Sequence, residues 1–121
     1  MKSKVYTLYQ LPANSKKLFR SYNSKSPIDI FDYVGVYQGE MDSEMNDISI
    51  CDELFEVFNI RHPNGFAGHS MSTSDVICID TFEGDSCVGR SFYYCDSFGW
   101  KDITDEIETE KKYDNIHCIV L

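Results

Sequence analysis

Positive charge is scarce in this chain and unevenly placed. Its 121 residues hold 11 Lys and Arg against 20 Asp and Glu, a formal net charge of −9 at pH 7. Six of those bases (Lys2, Lys4, Lys16, Lys17, Arg20, Lys25) lie in residues 1–25, where there is no acid. Five bases then face all 20 acids over the rest, and from Glu40 to Glu56 there are seven acids and no base. This argues against binding nucleic acid through the main surface, because such affinity rests on cations that neutralise phosphates. An acidic surface suits a basic partner and competes with nucleic acid for it. Solubility alone is the plainer use of the same charge.

Other absences narrow the class further. No stretch approaches the roughly 20 apolar residues of a membrane helix. Met1 to Tyr6 carries bases but no apolar signal core, so a cytoplasmic location is expected. The five cysteines, Cys51, Cys78, Cys87, Cys95 and Cys118, are odd in number and form no C-x-x-C pair. Three fall in apolar stretches, which reads as buried thiols in a reducing compartment. A zinc site from Cys78, Cys95, His117 and Cys118 has no support in the spacing, and no metal or other cofactor is expected. There is no G-x-S-x-G elbow and no G-K-[ST] phosphate loop. At 121 residues the chain reads as one domain over 1–121, large enough to bury a core without staples.

The densest region is Gly65 to Trp100. Val76 to Ile79 and Phe92 to Cys95 are apolar and aromatic runs with Glu83-Gly84-Asp85 between them, the pattern of two strands joined by a turn. This hairpin is expected to be the element on which the others pack. Before it, Val5 to Leu11 is rich in strand formers, carries apolar residues on both faces and stops at Pro12, as an interior strand would. Asn14 or Ser15 is placed to cap a short helix through Tyr22, with Leu18, Phe19 and Tyr22 inward and Lys16, Lys17 and Arg20 facing water. Those three bases are the one place where direct nucleic-acid contact is conceivable. Ile28 to Phe31 reads as a short turn, and Tyr33 to Gly39 as a second strand in which Gly35 marks a bulge or close backbone approach.

Ser49 looks like a helix cap with Asp52 and Glu53 in the first turn, and the helix is expected to run to about Asn59. Ile50, Leu54 and Val57 form one apolar row and Cys51, Phe55 and Phe58 the next, so one side should cover the sheet and the other be acidic. Asn59 to Gly68 is a loop by composition. Trp100 to Glu110 is ambiguous between helix and loop, and its Asp105, Glu106, Glu108 and Glu110 form a second acidic patch. Ile116 to Leu121 reads as a last strand. The expected fold is α+β: an antiparallel sheet of about five strands carrying the helix over about 49–59 and a shorter N-terminal one.

Three arrangements were weighed for chemistry. His69, Ser70 and Asp75 contain the residue types of a hydrolase, but His69 adjoins Ser70 rather than folding back on it. A polar loop whose Ser70, Ser72, Ser74 and Asp75 satisfy backbone groups is the simpler account. If Asp75, Asp80 and Asp96 meet at one end of the hairpin, they make a metal or acid–base site. Tyr93, Tyr94, Phe98 and Trp100 follow one another along and past a strand; about half should be core and the remainder an interaction surface.

The block Gly68-His69-Ser70-Met71-Ser72-Thr73-Ser74-Asp75-Val76-Ile77, followed by Phe92-Tyr93-Tyr94-Cys95-Asp96-Ser97-Phe98-Gly99-Trp100, resembles the YodL-like family of Firmicutes. Members carry a similar H-S-x-S-x-S-D-V-[IV] block and then Y-Y-V-D-S-x-G-[FW]; here Cys95 stands where an aliphatic residue is usual. The resemblance also takes in Tyr6 to Leu11 and Tyr33 to Tyr37, and spans roughly residues 5–103. It implies a domain found in mobile elements of phage or plasmid type, alone or fused to antirestriction-type proteins. The namesake is associated with interference with the actin-like cell-shape protein MreB, and some small acidic members look like inhibitors of type II CRISPR nucleases. No catalytic residues carry over. The motif positions His69, Ser70, Ser72, Ser74, Asp75, Tyr94, Asp96, Ser97, Gly99 and Trp100 are therefore expected to be architectural first.

The expected function is an anti-CRISPR inhibitor that contacts a host defence nuclease one-to-one. Glu40, Asp42, Glu44, Asp47, Asp52, Glu53 and Glu56, with Asp105, Glu106, Glu108 and Glu110, would occupy its guide-RNA or DNA channel. The alternative is an MreB antagonist. A third reading, a nuclease acting on guide RNA, would lean on His69 and Asp75.

Overall fold

A computed structural model describes residues 2–12, 14–22, 28–41, 44–60, 68, 70–97 and 99–107. Five strands form one sheet: β1 (Lys2–Gln10), β2 (Val34–Met41), β3 (Val76–Glu83), β4 (Ser86–Asp96) and β5 (Gly99–Asp102). Their order is β2-β1-β3-β4-β5, and every neighbouring pair is antiparallel. Helix α1 spans Asp47–Ile60, helix α2 is a single turn at Thr104–Ile107, and a 3₁₀ turn sits at Ile30–Asp32. The class is α+β as expected, with a hairpin at its centre.

Both sheet faces are covered, which explains why β1 and β3 read as apolar on both sides. On one face Tyr6, Leu8, Ile77, Ile79 and Tyr93 pack against Ile50, Cys51, Leu54 and Phe58 of α1. On the other, Tyr9, Val76, Cys78, Phe92 and Tyr94 pack against Ile30, Ile103 and Ile107, with Tyr22, Ile28 and Tyr33 at the margin. Tyr93 and Tyr94 thus go to opposite faces, as strand alternation demands. The β3–β4 loop is Gly84-Asp85, closed by the pair Glu83 and Ser86. Gly84 has φ +60, the positive value that the first residue of a tight hairpin turn requires. In β2 the register slips where Leu8 faces Tyr37 but Tyr9 faces Gly35. Val36 is the extra residue of a bulge beside Gly35. Gly39 lies flat against the Tyr6 ring, whose atoms would meet an added Cβ at 2.9–3.0 Å.

Helix α1 starts three residues earlier than the Ser49 cap implies. Asn46 Oδ1 accepts the Ser49 N–H at 2.9 Å and Asn46 O accepts the Ile50 N–H at 3.1 Å, so Asn46 is the cap and Ser49 the third helical residue. The buried stripe is also narrower than expected: Phe55 is 40% exposed.

The N-terminal helix expected from Asn14 or Ser15 to Tyr22 does not form. Residues 14–20 make tight turns, with Ser15 N donating to Pro12 O, Leu18 N to Ser15 O and Arg20 N to Lys17 O. Ser15 Oγ accepts from Lys17 N rather than opening an α-helix. Phe19 has φ 64, a left-handed conformation that stops a helix, and its side chain is 62% exposed rather than inward. The fifth strand is Gly99–Asp102, inside the stretch read as helix or loop. The strand expected at Ile116 to Leu121 lies outside the described residues, as do residues 61–67 of the expected loop and Cys118.

Two substitutions separate the caps. Asn46→Ala should cost about 1 kcal/mol of stability, and Ser49→Ala, on an exposed position, no more than about 0.5 kcal/mol. Urea denaturation of the two variants checks the order; the reverse order would restore Ser49 as the cap.

Candidate functional site

The two motif blocks meet where β3 begins and β4 ends. Asp75 is fully buried. Its Oδ2 accepts from Gln10 Nε2 at 3.0 Å and from the Ser72 N–H at 3.0 Å. Its carbonyl accepts the Cys95 N–H at 2.7 Å, and Cys95 O accepts the Ser74 N–H at 2.9 Å. One residue therefore ties the end of β1, the loop before β3 and the end of β4. Ser74, also buried, has φ 89, an uncommon conformation for a side chain with a Cβ. Its carbonyl accepts from Tyr33 Oη at 2.6 Å.

From this node the motif residues hold the segment Phe19–Tyr22. Phe19 N donates to Ser74 Oγ at 3.0 Å. Arg20 O accepts from Tyr94 Oη at 2.5 Å. Ser21 Oγ meets Ser97 Oγ. Tyr22 N donates to Asp96 Oδ1 at 3.1 Å, and its ring packs edge-on to Tyr94 at 5.9 Å. Four consecutive residues are thus each held by a serine, tyrosine or aspartate of the two blocks. That is why the segment makes turns and not a helix: its polar groups are taken by the motif rather than by its own backbone.

His69 lies outside the described residues and Ser70 is exposed, while the Asp75 carboxylate is buried and bound by Gln10 and Ser72. Asp75, Asp80 and Asp96 do not cluster. Asp80 is five residues further along β3, fully buried, and bound by Arg90 Nε at 2.8 Å, while Asp96 holds Tyr22 and Ser97 N–H groups. Among the described residues no three His, Cys, Asp or Glu side chains are grouped to hold a metal. Cys51, Cys78 and Cys95 are buried. Burial, with Asp75 and Asp96 nearby, pushes the Cys95 thiol up to about 12, so it is not a nucleophile at neutral pH.

The acids divide into two groups on opposite faces of the sheet, α1 with one core and α2 with the other. On α1, Asp52, Glu53 and Glu56 are exposed, and Glu40 and Glu44 are exposed before it. Asp47 is not part of that open surface: it takes Lys4 Nζ at 2.9 Å and Tyr93 Oη at 2.8 Å. On α2 Asp105 is exposed. Asp42, Glu108, Glu110 and the Glu106 side chain lie outside the described residues. The expected basic helix face is absent, since Lys16, Lys17 and Arg20 sit on turns and Lys17 pairs with Asp32 at 2.8 Å.

Between α1 and the β4–β5 turn lies a cavity of about 210 Å³ lined by Asp52, Phe55, Asp96, Ser97, Gly99 and Trp100, with Cys95 behind them. Trp100 Nε1 donates to Asp52 Oδ1 at 3.1 Å, which fixes the indole against the helix. Gly99 has φ +125, which excludes other residues at this turn for backbone reasons. In the sequence Phe55 reads as part of the buried rows, and the sign of an exposed surface here is Trp100, one of the aromatics of which about half are expected outside the core.

The YodL-like domain family model matches residues 4–106. The chain belongs to the YodL-like domain family. No curated protein and no solved structure matches it. In this YodL-like domain Ser74, Asp75, Tyr94 and Asp96 of the two blocks hold the backbone of neighbouring segments. No helix among the described residues is long and apolar enough to cross a membrane.

Five tyrosines, four of them buried and Tyr33 half-buried, set an alkaline limit. Burial raises Tyr6 and Tyr94 to about 12 and raises Tyr9, Tyr33 and Tyr93 as well. Unfolded tyrosine ionises near 10. Above that pH the unfolded chain binds fewer protons than the folded one, so their stabilisation is full below about pH 10 and is lost as pH rises towards 12. The urea midpoint should fall between pH 9.5 and 11.5. Tyr94→Phe should flatten that fall while costing about 1 kcal/mol at neutral pH through the lost Arg20 bond. An unchanged slope would mean Tyr94 titrates normally.

Proposed function

We propose that this YodL-like domain is a binding inhibitor from a mobile element. It acts by one-to-one contact on the basic nucleic-acid channel of a host defence nuclease, a type II CRISPR effector first. The observation that carries this is the outer face of α1, where Asp52, Glu53 and Glu56 stand exposed on a helix of 14 residues that contains no base. Glu40 and Glu44 extend the same sign of charge. A guide or DNA channel holds a polyanion through backbone contacts rather than sequence, and a rigid row of carboxylates competes for the same cations. The α2 acids, on the other face, are secondary to this contact.

Family membership favours one further reading, antagonism of MreB, given the namesake's association with that protein. It predicts loss of rod shape on expression in a rod-shaped bacterium; normal rods at high expression remove it. Guide-RNA cleavage by this chain has no geometry to support it, since the Asp75 it would use is committed inside the domain.

The deciding experiment is guide-directed DNA cleavage by a purified type II CRISPR nuclease with this protein titrated in before and after guide loading. Inhibition near one-to-one with intact guide is the expected result. Its affinity should fall steeply between low and high salt, and Glu53→Lys with Glu56→Lys should weaken it by at least about tenfold. No inhibition at large excess removes the nuclease reading, affinity flat with salt removes the channel mechanism, and a shortened guide replaces inhibition by enzymatic turnover.

A further inference from the structure

We infer that the cavity between α1 and the β4–β5 turn is a socket for one arginine side chain of a basic partner. This rests on the partner-binding reading above and gives that surface its anchor point. At about 210 Å³ the space is below the roughly 300 Å³ at which small-molecule pockets begin, the scale of a single long side chain. Its walls are Phe55, 40% exposed on the helix, and the half-buried indole of Trp100. The Asp52 carboxylate joins them, and no base is among the lining residues.

Aromatic faces with carboxylates at their edges are what a guanidinium seeks: it stacks on the rings and hydrogen-bonds the oxygens in its own plane. The Asp52 carboxylate is held in place before any partner arrives, fixed by the indole N–H, while the Asp96 carboxylate is spent on the Tyr22 and Ser97 N–H groups, both on Oδ1. The domain's own nearby cation is turned away. Lys101 follows Trp100 in β5 and so projects to the opposite sheet face, where its Nζ lies over the Tyr22 ring at 5.3 Å. The exposed acids of α1 flank Phe55 and would steer a basic surface toward the opening.

Trp100 is the single tryptophan, so its fluorescence reports on this cavity alone. The full chain is titrated with N-acetyl-Gly-Arg-Gly-amide and with the same peptide carrying citrulline, which keeps the shape and loses the charge. Arginine should give a saturable change, with citrulline at least about tenfold weaker. Asp52→Asn keeps an oxygen for its internal hydrogen bond and should weaken the arginine response about fivefold or more. Phe55→Leu, at a surface position, should do the same. Circular dichroism and thermal melts verify that each variant is folded. Equal responses to arginine and citrulline, or a response untouched by both substitutions, overturn the socket. The same variants tested for nuclease inhibition separate the two ideas. Arginine binding without any inhibition leaves the socket standing and removes its proposed partner. Full inhibition by variants that no longer bind the peptide removes the socket from the contact and keeps the inhibitor.

Discussion

A carboxylate without access to water depends on hydrogen-bond donors, and Oδ2 of Asp75 takes them from the end of one strand and the loop before another, while its own backbone grips a third. Moving Gln10 or Ser72 would take a hydrogen bond from a buried charge, which costs more than an ordinary lost contact, and moving Cys95 would strip the donor from the Asp75 carbonyl. The sheet's central strands, the β4 end and the loop entering β3 are therefore constrained together. Ser74, next in the chain, adopts a left-handed backbone at this point, and its two polar groups reach Phe19 and Tyr33. The irregular segment Phe19–Tyr22 depends on that geometry in turn. What looks in sequence like a reactive loop is a set of backbone clamps.

This division of labour bears on function. The polar residues of the two blocks are spent inside the domain, and what remains for a partner is what those blocks and α1 present outward: exposed carboxylates and an aromatic cavity whose turn is set by Gly99. Ion pairs on an open surface contribute little by themselves because water and salt screen them. A row of acids steers and selects a partner, and affinity needs an anchor that excludes water. The cavity beside Trp100 supplies such an anchor next to the acids of α1.

The fold was legible where burial has a period. The central hairpin followed from apolar runs around Glu83-Gly84-Asp85, the interior position of β1 from apolar residues on both its faces, and α1 from its repeated apolar rows. Gly35 correctly pointed to the bulge at Val36. The failures share a cause. Ser15 looked like a cap, but Phe19–Tyr22 answers to Ser74, Tyr94, Asp96 and Ser97, more than 50 residues away, and no local pattern records that. Ser49 looked like a cap because Asn46 sits in a polar stretch where one candidate resembles another. Asp80 and Asp96 share only a residue type with Asp75: Asp80 lies five residues further along β3 on Arg90, and Asp96, though one residue from the Cys95 that Asp75 bonds, turns its carboxylate to Tyr22 and Ser97. The motif is recognisable as a pattern, while its purpose shows only in three dimensions, where Gln10, a buried amide at the end of β1, bonds Asp75.

The most direct test of this account is amide hydrogen exchange on Asp75→Asn compared with the parent chain. If the buried carboxylate organises the site, protection should fall at Ser72 and Cys95 and also at the Phe19 and Tyr22 amides, which do not touch Asp75, while the β1–β2 pairing keeps its protection. Faster exchange confined to Ser72, with Phe19 and Tyr22 unchanged, would show that the segment holds itself and that Asp75 is not the point on which the motif depends.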